Sequence, residues 1–516
     1  MKNLVIVEAA GKVDILKREL KGIGLFADVV ATVGHIADNP KSLSPIALNE
    51  DLHELAYEFR EDRSHLLEKL RRAAAGADRI FVATDDDQEG DVIAYDVSRL
   101  LADRADILYR VRLRSITAHE LQSAFDGQLS QQFEPFARNG ICRRVVDRAI
   151  GAVFTRVAES SIVSVGRVQS SLLAAIKESP PVAGHYTMRF EESDGSVFGA
   201  HVPVRSATEL RALEALASSL ASGHAQVLRH SEKVEPRAQP WSYEDVVCEV
   251  SDRLKMSVDE AADLFQKAYE RGRISYPRVR GASFTRDAVE VAAEMAANNR
   301  CSFDPALLKV RSSEDGRGAA HESPRALDGE MPLGRPLNVL QASEAVAVLI
   351  GRNVIECGQS AKVRTLTVKH GESELELRCV MNSGRRNWKD PDSTPGYHPY
   401  ARDYALLKYM GALGLGRPST VVEHATRVIR RALIAETGVA VSLNDRGERW
   451  LERASAFGFI AHTSTEMESA MAKPMRDPYQ RAREILASHG MLDVVKKHVA
   501  IAGPLEAPNE AFAEPG

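Results

Sequence analysis

The chain has 516 residues, of which 44% are hydrophobic and 27% charged. That length exceeds one compact core and predicts roughly three or four domains; no apolar run is long enough to span a bilayer, so no membrane partner is expected. A net charge of −5 excludes a uniformly basic coat but leaves room for a local basic channel, because binding follows local fields rather than their sum.

In chain order, the opening MKNLVIVEAAGK closes its short apolar segment at Glu8 and lacks a cleavable secretory h-region, which predicts a cytoplasmic protein. Strands are expected at 4–7, 29–33, 79–83 and 111–116, and helices at 12–20, 91–101 and 118–125, an alternation that implies a mainly parallel α/β sheet. Helices over 137–157 and 169–177 precede a boundary at Pro180-Pro181. Further strands are expected at 186–190, 197–204 and 227–230, and then, much later, at 363–368 and 375–380. Between these strand groups lies a helical insertion, roughly 241–327, held on two connections that could hinge. Helical pattern returns over 400–500, ahead of a Pro, Glu and Ala-rich tail expected to fray. The cysteines Cys142, Cys248, Cys301, Cys357 and Cys379 form no CxxC pair, so neither a zinc ribbon nor a redox dithiol is expected.

The densest chemistry is VATDDDQEGD, 82–91, directly after an apolar run. Asp85, Asp87 and Glu89 then stand at the C-terminal edge of a strand, where open α/β sheets bind ligands. Crowded carboxylates repel one another, and the usual compensation is a hard divalent cation such as Mg2+. Glu8 closes the first strand in the same way, so both acidic sites should meet on one edge, with Lys12 one turn into the next helix. A solvated acidic turn is the ordinary reading of an arbitrary Asp run. An EF-hand loop is a sharper rival, but it needs a preceding helix and a Glu at the twelfth position, where Asp96 stands.

LVIVEAAGK, ATVGHI at 31–36 and TDDDQEG together resemble a Toprim domain, the metal-binding α/β module of topoisomerases, some primases and some nucleases. Farther on, SVGRVQS at 164–170 resembles the S-x-G-R-V-Q-S segment of type IA DNA topoisomerases, and YERGRISYPR at 269–278 resembles that family's active-site stretch. Ala320-His321-Glu322 with Arg325 is similar to its A-H-E-x-x-R motif, and LGRPST at 415–420 to its G-x-G-R-P-S-T stretch. These matches run in family order from residue 4 to about 447, which is more specific than any one of them. GALGLGRPST alone could suggest a phosphate loop, but Arg417 stands in place of lysine and Pro418 follows, so no ATP site is expected.

The resemblance implies an α/β fold with added α and β domains around a central hole. Its parts would be a Rossmann-like Toprim sheet (1–128), a helical DNA-binding domain (129–182 and 400–502), a β-rich hinge domain (183–240 and 328–399), a helical insertion with the active-site tyrosine (241–327) and a tail (503–516). It implies ATP-independent cleavage, passage and resealing of a DNA strand, with the phosphodiester energy kept in a covalent link. Tyr276 would form a 5′-phosphotyrosine. Arg278 would support the phenolate, whose free pKa is near ~10, and grip phosphate oxygens with its planar fork. Glu8 would be general acid and base at the 3′ oxygen, Lys12 would contact the scissile phosphate, and Asp85, Asp87 and Glu89 would hold Mg2+. Arg167, Gln169, His321, Arg325 and Arg417 are candidates for strand binding, with His35 a weaker one. The insertion is expected to lean on the Toprim edge and part from it as a gate, in a monomer acting on single-stranded regions of negatively supercoiled or catenated DNA. Trp241 and Tyr243 read as packing residues rather than base-stacking ones.

Three departures from the family pattern stand out. Gln88 replaces a usual arginine after the second aspartate, Arg280 replaces a usual aspartate, and Ser323-Pro324 intrude into the A-H-E motif. Two rival readings follow: a Toprim nuclease or primase, which would have no need of Tyr276, and a DNA-binding relative whose altered motifs have cost it activity.

Overall fold

The apolar run 4–7 has no polar face because it is covered on both sides. In the computed structural model, which describes residues 2–42, 46–127, 129–157, 166–311, 322–371, 373–391, 393–435 and 438–501, it forms the inner strand β1 (Asn3–Val7). Next come α1 (Val13–Gly22), β2 (Ala27–Ala31), β3 (Ala37–Asp38), β4 (Glu58–Phe59), α2 (Ser64–Ala75), β5 (Arg79–Val82), α3 (Gln88–Leu100), β6 (Leu108–Arg110), α4 (Ala118–Asp126), α5 (Glu134–Val157) and α6 (Arg167–Glu178). The sheet order is β2-β1-β5-β6, all parallel, and β3 pairs with β4 separately. Leu4 and Ile6 pack with Leu67, Leu70 and Val97 of α2 and α3, whereas Val5 and Val7 pack with Leu16, Leu20 and Leu121 of α1 and α4. Alternate side chains of one strand thus seed two cores, as a doubly covered sheet requires.

Two expected strands differ. β2 stops at Ala31 because Val33 and Gly34 take left-handed conformations, φ 53° and 86°. The pattern 111–116 does alternate, but the ladder has ended: β5 stops at Val82, and only an isolated bridge, Asp85 to Leu113, continues it. Helix α2 was not expected at all.

From Gly184 the chain turns antiparallel. It runs through β7 (Gly184–Glu191), β8 (Val197–Val204), α7 (Ala207–Ala221), β9 (Gln226–Pro236), α8 (Tyr243–Leu254), α9 (Val258–Glu270), α10 (Arg286–Asn298), α11 (Ala342–Cys357), β10 (Ser360–His370), β11 (Ser373–Ser383), β12 (Gly396–Pro399), α12 (Arg402–Ala412) and α13 (Val421–Arg430). The strands form one sheet in the order β12-β7-β8-β11-β10-β9. Helix α7 covers it, with Leu216 and Leu220 against Met188, Phe198, Leu366 and Leu377. The helical insertion leaves from Pro236 and returns at Ser360, residues that pair side by side, and the Arg237 N–H donates to the Gln359 carbonyl at 2.8 Å. Helical structure therefore extends past 327, through α11. That helix is apolar on nearly all sides and rich in Val and Ile, a composition that periodicity cannot separate from a buried strand.

The C-terminal helices do not form one group. α12 and α13 pack on α8 and α9, whereas, beyond α14 (Asp445–Ser455), α15 (Thr463–Ala472), α16 (Pro478–Ser488) and α17 (Leu492–Ile501) pack on α5. The chain divides into two compact units, Met1–Ala174 with Arg449–Gly516, and Ala175–Glu448. The expected grouping of 129–182 with all of 400–502 is thus split, because an amphipathic pattern reveals a buried face but not its partner. No helix among the described residues is long and apolar enough to cross a membrane.

All five cysteines are free thiols. Burial pushes Cys142 and Cys357 up to about 12 and raises Cys248 as well. Iodoacetamide at neutral pH should therefore label the half-buried Cys301 and Cys379 ahead of the other three, as read by peptide mass spectrometry. Early labelling of Cys248 would contradict this packing.

Candidate active site

Because β1 and β5 are parallel neighbours with Ile6 opposite Val82, the residues that follow them emerge on one edge of the sheet. Glu8 and Asp85 meet there, sharing a hydrogen bond. Lys12, 1% exposed, donates from Nζ to Asp85 Oδ1. Burial, then the charge of Asp85, holds the Glu8 carboxyl well above the usual carboxylate range, with Asp87 adding to the effect and Lys12 opposing it. The left-handed turn after β2 serves the same edge. Gly34 N–H donates to the Glu8 carbonyl at 3.0 Å, and Val33, a β-branched residue at positive φ, is strained to make that turn. The turn delivers His35, whose Nε2 lies 2.8 Å from Glu89 Oε2. Burial alone would lower the His35 pKa, but the Glu89 carboxylate outweighs it and the net shift is upward.

The acidic run separates into structural and available groups. Asp86 pairs with Arg112 and Arg114, and the buried Asp91 pairs with Arg110 at 3.0 Å and Arg112 at 2.6 Å, so the arginines following β6 neutralise these two. Asp87 caps α3, accepting from Gly90 N–H at 2.7 Å, and Thr84 donates to the Gly90 carbonyl at 2.6 Å. Gly90 has to be glycine: a Cβ there would lie 2.3 Å from the Asp85 carbonyl oxygen. Gly90→Ala should therefore displace the Asp85 turn and cost about 1–3 kcal/mol by overpacking. An unchanged urea midpoint would refute it. Among the described residues no group of three or more His, Cys, Asp or Glu side chains is spaced to hold a metal ion. The donors at this edge nonetheless suit Mg2+: they are carboxylate oxygens with crowded negative charge, and Mg2+ commonly needs only one or two carboxylates beside phosphate oxygens and water.

In the other unit, Tyr276 lies in the loop between α9 and α10. Ile274 bridges Ala326 antiparallel, Ser275 N–H donates to the Arg325 carbonyl at 2.9 Å, and the Arg325 N–H donates to Ser275 Oγ at 3.0 Å. Arg325 and Ala326 are thus the backbone partners of the tyrosine loop. Tyr276 is 3% exposed and meets Tyr269 edge to face, with centroids 5.6 Å apart. Arg278 is half-buried, and its charge partly offsets the burial that pushes Tyr243 up to about 12. Tyr243 itself stacks on Phe265, a packing role as expected.

The remaining candidates divide. His321 lies outside the described residues. Arg167 is buried, held by Asp147 at 2.7 Å, Glu468 at 2.8 Å and Ser464 at 3.0 Å, which makes it a brace between α5, α6 and α15. Gln169 is buried beside it in sequence. Arg325 is buried too, donating to Glu322 at 3.0 Å and to Asp287, while Glu322 accepts from Thr285 Oγ1 at 2.7 Å and so supports the start of α10. Arg417 is half-buried, and its carbonyl accepts from Val421 N–H at 2.7 Å at the start of α13.

A Toprim domain model matches residues 3–115, and a DNA topoisomerase family model matches residues 131–380. DNA topoisomerase 1 of Escherichia coli is 25% identical over 81% of this chain and 57% of that protein. The enzyme of the same name from Pseudomonas aeruginosa is 24% identical over 84% of this chain and 59% of its own. The fold is similar to full-length topoisomerase I from Thermotoga maritima, with a TM-score of 0.66 at 19% identity, covering 95% of this chain and 90% of that one. The Toprim match followed by the DNA topoisomerase match supports a type IA DNA topoisomerase. The chain spans under three-fifths of the length of the Escherichia coli and Pseudomonas aeruginosa proteins.

Departures from the type IA pattern find local partners. Arg143 of α5 donates to Gln88 Oε1 at 2.5 Å, so a guanidinium from another element contacts the residue that departs from the pattern. Ser323, which interrupts the A-H-E motif, is fully buried and donates to the Gly281 carbonyl at 2.6 Å. Arg280 pairs with Glu244. None of these partners is visible as a local motif, because each lies more than thirty residues away.

Proposed function

We propose that this chain is an ATP-independent topoisomerase that cleaves one strand, passes DNA through the break and reseals it. Tyr276 Oη attacks the scissile phosphorus, forming the P–Oη bond as the P–O3′ bond breaks. The phenol proton passes to solvent water, and the Glu8 carboxyl gives its proton to the 3′ oxygen. Resealing runs the same steps backwards, and Glu8 then acts as base. Burial and the neighbouring Asp85 hold the Glu8 carboxyl above its usual range, which is the direction that favours a proton donor. Arg278 grips the non-bridging oxygens, and Lys12 supplies positive charge beside the phosphate. Asp85, Asp87 and Glu89 would hold Mg2+, which when bound offsets the crowded carboxylates and anchors phosphate oxygens.

The substrate class is single-stranded regions of negatively supercoiled or catenated DNA, met by a cytoplasmic monomer. Arg417, half-buried just before α13, is a candidate for strand contact; Arg167 and Arg325 serve the protein's own carboxylates.

One observation carries the reading: the Glu8, Lys12 and Asp85 cluster inside the Toprim match shares a chain with Tyr276 inside the topoisomerase match. A nuclease or primase needs only the first. The test is incubation with negatively supercoiled plasmid and Mg2+, without ATP, expecting a ladder of relaxed topoisomers that EDTA abolishes. Nicking that survives Tyr276→Phe would support a nuclease instead, and binding without any strand change an inactive relative.

A further inference from the structure

The tyrosine loop carries a second guanidinium whose partners lie on two other elements. Arg280 donates to Glu244 Oε1 from Nε at 2.9 Å and from Nη2 at 2.5 Å. Its Nη1 donates to the Gly416 carbonyl at 2.9 Å, and Nη2 also reaches that of Leu415 at 3.4 Å. Glu244 lies in the first turn of α8 and is 2% exposed, and its Oε2 has no hydrogen-bond partner among the described residues, so its hydrogen-bonded countercharge comes from Arg280. Leu415 and Gly416 immediately precede Arg417. Their turn uses left-handed glycines at 414 and 416, φ 65° and 76°, a backbone that no side chain of its own stiffens. The same junction is tight elsewhere. Tyr243 N–H donates to the Val279 carbonyl at 2.8 Å, and a Cβ on Gly411 of α12 would come within 3.0 Å of Glu244 Cβ.

We propose that Arg280 and Glu244 form a positioning clamp that fixes the Tyr276–Arg278 loop and the Gly416–Arg417 loop relative to each other during cleavage and resealing. This rests on the assignment of Tyr276 as nucleophile. Neither residue of the clamp touches the reacting atoms. The fork is what matters: a planar guanidinium holds a carboxylate and two carbonyls at once, which the point charge of an ammonium does not. A reacting group displaced by about 1 Å loses roughly a hundred-fold in rate.

The test uses the full chain with Mg2+ and a single-stranded oligonucleotide labelled at its 3′ end, the end that stays with a 5′-phosphotyrosine, and traps the covalent adduct with detergent. Three variants are compared: Arg280→Lys, the pair Arg280→Met with Glu244→Gln, and Tyr276→Phe. The paired variant removes both charges together and so avoids a lone buried carboxylate, which keeps the test open if the single change fails to fold. We expect the folded paired variant to form adduct about ten- to a hundred-fold more slowly at saturating oligonucleotide, with half-saturation moving less than about two-fold. Arg280→Lys should recover little of that rate. A folded paired variant with the unsubstituted rate would overturn the clamp, and so would a loss confined to half-saturation, which would make these residues DNA contacts. Adduct formed by Tyr276→Phe would instead overturn the assignment of the nucleophile.

Discussion

Tyr276→Phe is expected to lose relaxation and the detergent-trapped DNA adduct completely while melting within a few degrees of the unsubstituted chain. The two outcomes have separate causes. The ring is 3% exposed and packs edge to face on Tyr269, and phenylalanine keeps both the volume and that contact. Losing one hydroxyl changes stability by about 1 kcal/mol, a shift of roughly 1–2 °C in a chain of this size. On the proposed mechanism the chemistry has no such reserve: without Oη the assigned nucleophile is gone, so the phosphodiester energy is not stored and resealing has no starting point. The measurement is a plasmid relaxation gel beside a differential scan. A variant that melts normally and still produces topoisomers would remove Tyr276 from the mechanism.

Lys12→Met should damage both stability and activity. Lys12 is 1% exposed and serves Asp85, itself 1% exposed, next to Glu8. Methionine matches the stem but leaves the carboxylates without their buried cation, and breaking a buried pair from one side costs about 3–5 kcal/mol. The urea midpoint should fall accordingly. Combining Lys12→Met with Asp85→Asn should recover most of that stability, since the uncompensated charge goes with it, yet leave relaxation abolished. If the single substitution left the midpoint unchanged, the pair would contribute nothing to the fold and Lys12 would matter only to the substrate.

The N-terminal sheet was largely legible because its signals are local. Apolar runs covered on two faces, a glycine that only glycine can occupy at position 90, and acids at strand ends all sit within short windows. The assignment of Tyr276 rests on its ordered motif neighbours rather than on its surroundings. What the sequence did not reveal is long-range. Nothing near Gln88 announces Arg143, nothing near Arg280 announces Glu244, and the Val-rich α11 reads as strand until its neighbours are known. Arg167 shows the same limit: its motif suggested DNA, and nothing near it in sequence announces Asp147, Glu468 and Ser464, which hold it in the fold. The division of the C-terminal helices between two units has the same origin, since partner choice is decided by tertiary packing.

The side-by-side pairing of Pro236 with Ser360 also bears on how the molecule assembles. As an open coil, the intervening chain would oppose the pairing of β9 with β10 through loop-closure entropy, a cost that grows with the logarithm of its length. Once the insertion has folded, its own two ends lie together, and the same pairing becomes as local as that of an ordinary hairpin. The most natural order of events is therefore insertion first and edge pairing second, which makes the β9–β10 ladder at the sheet's edge a reporter on whether the segment bearing the tyrosine has already found its structure.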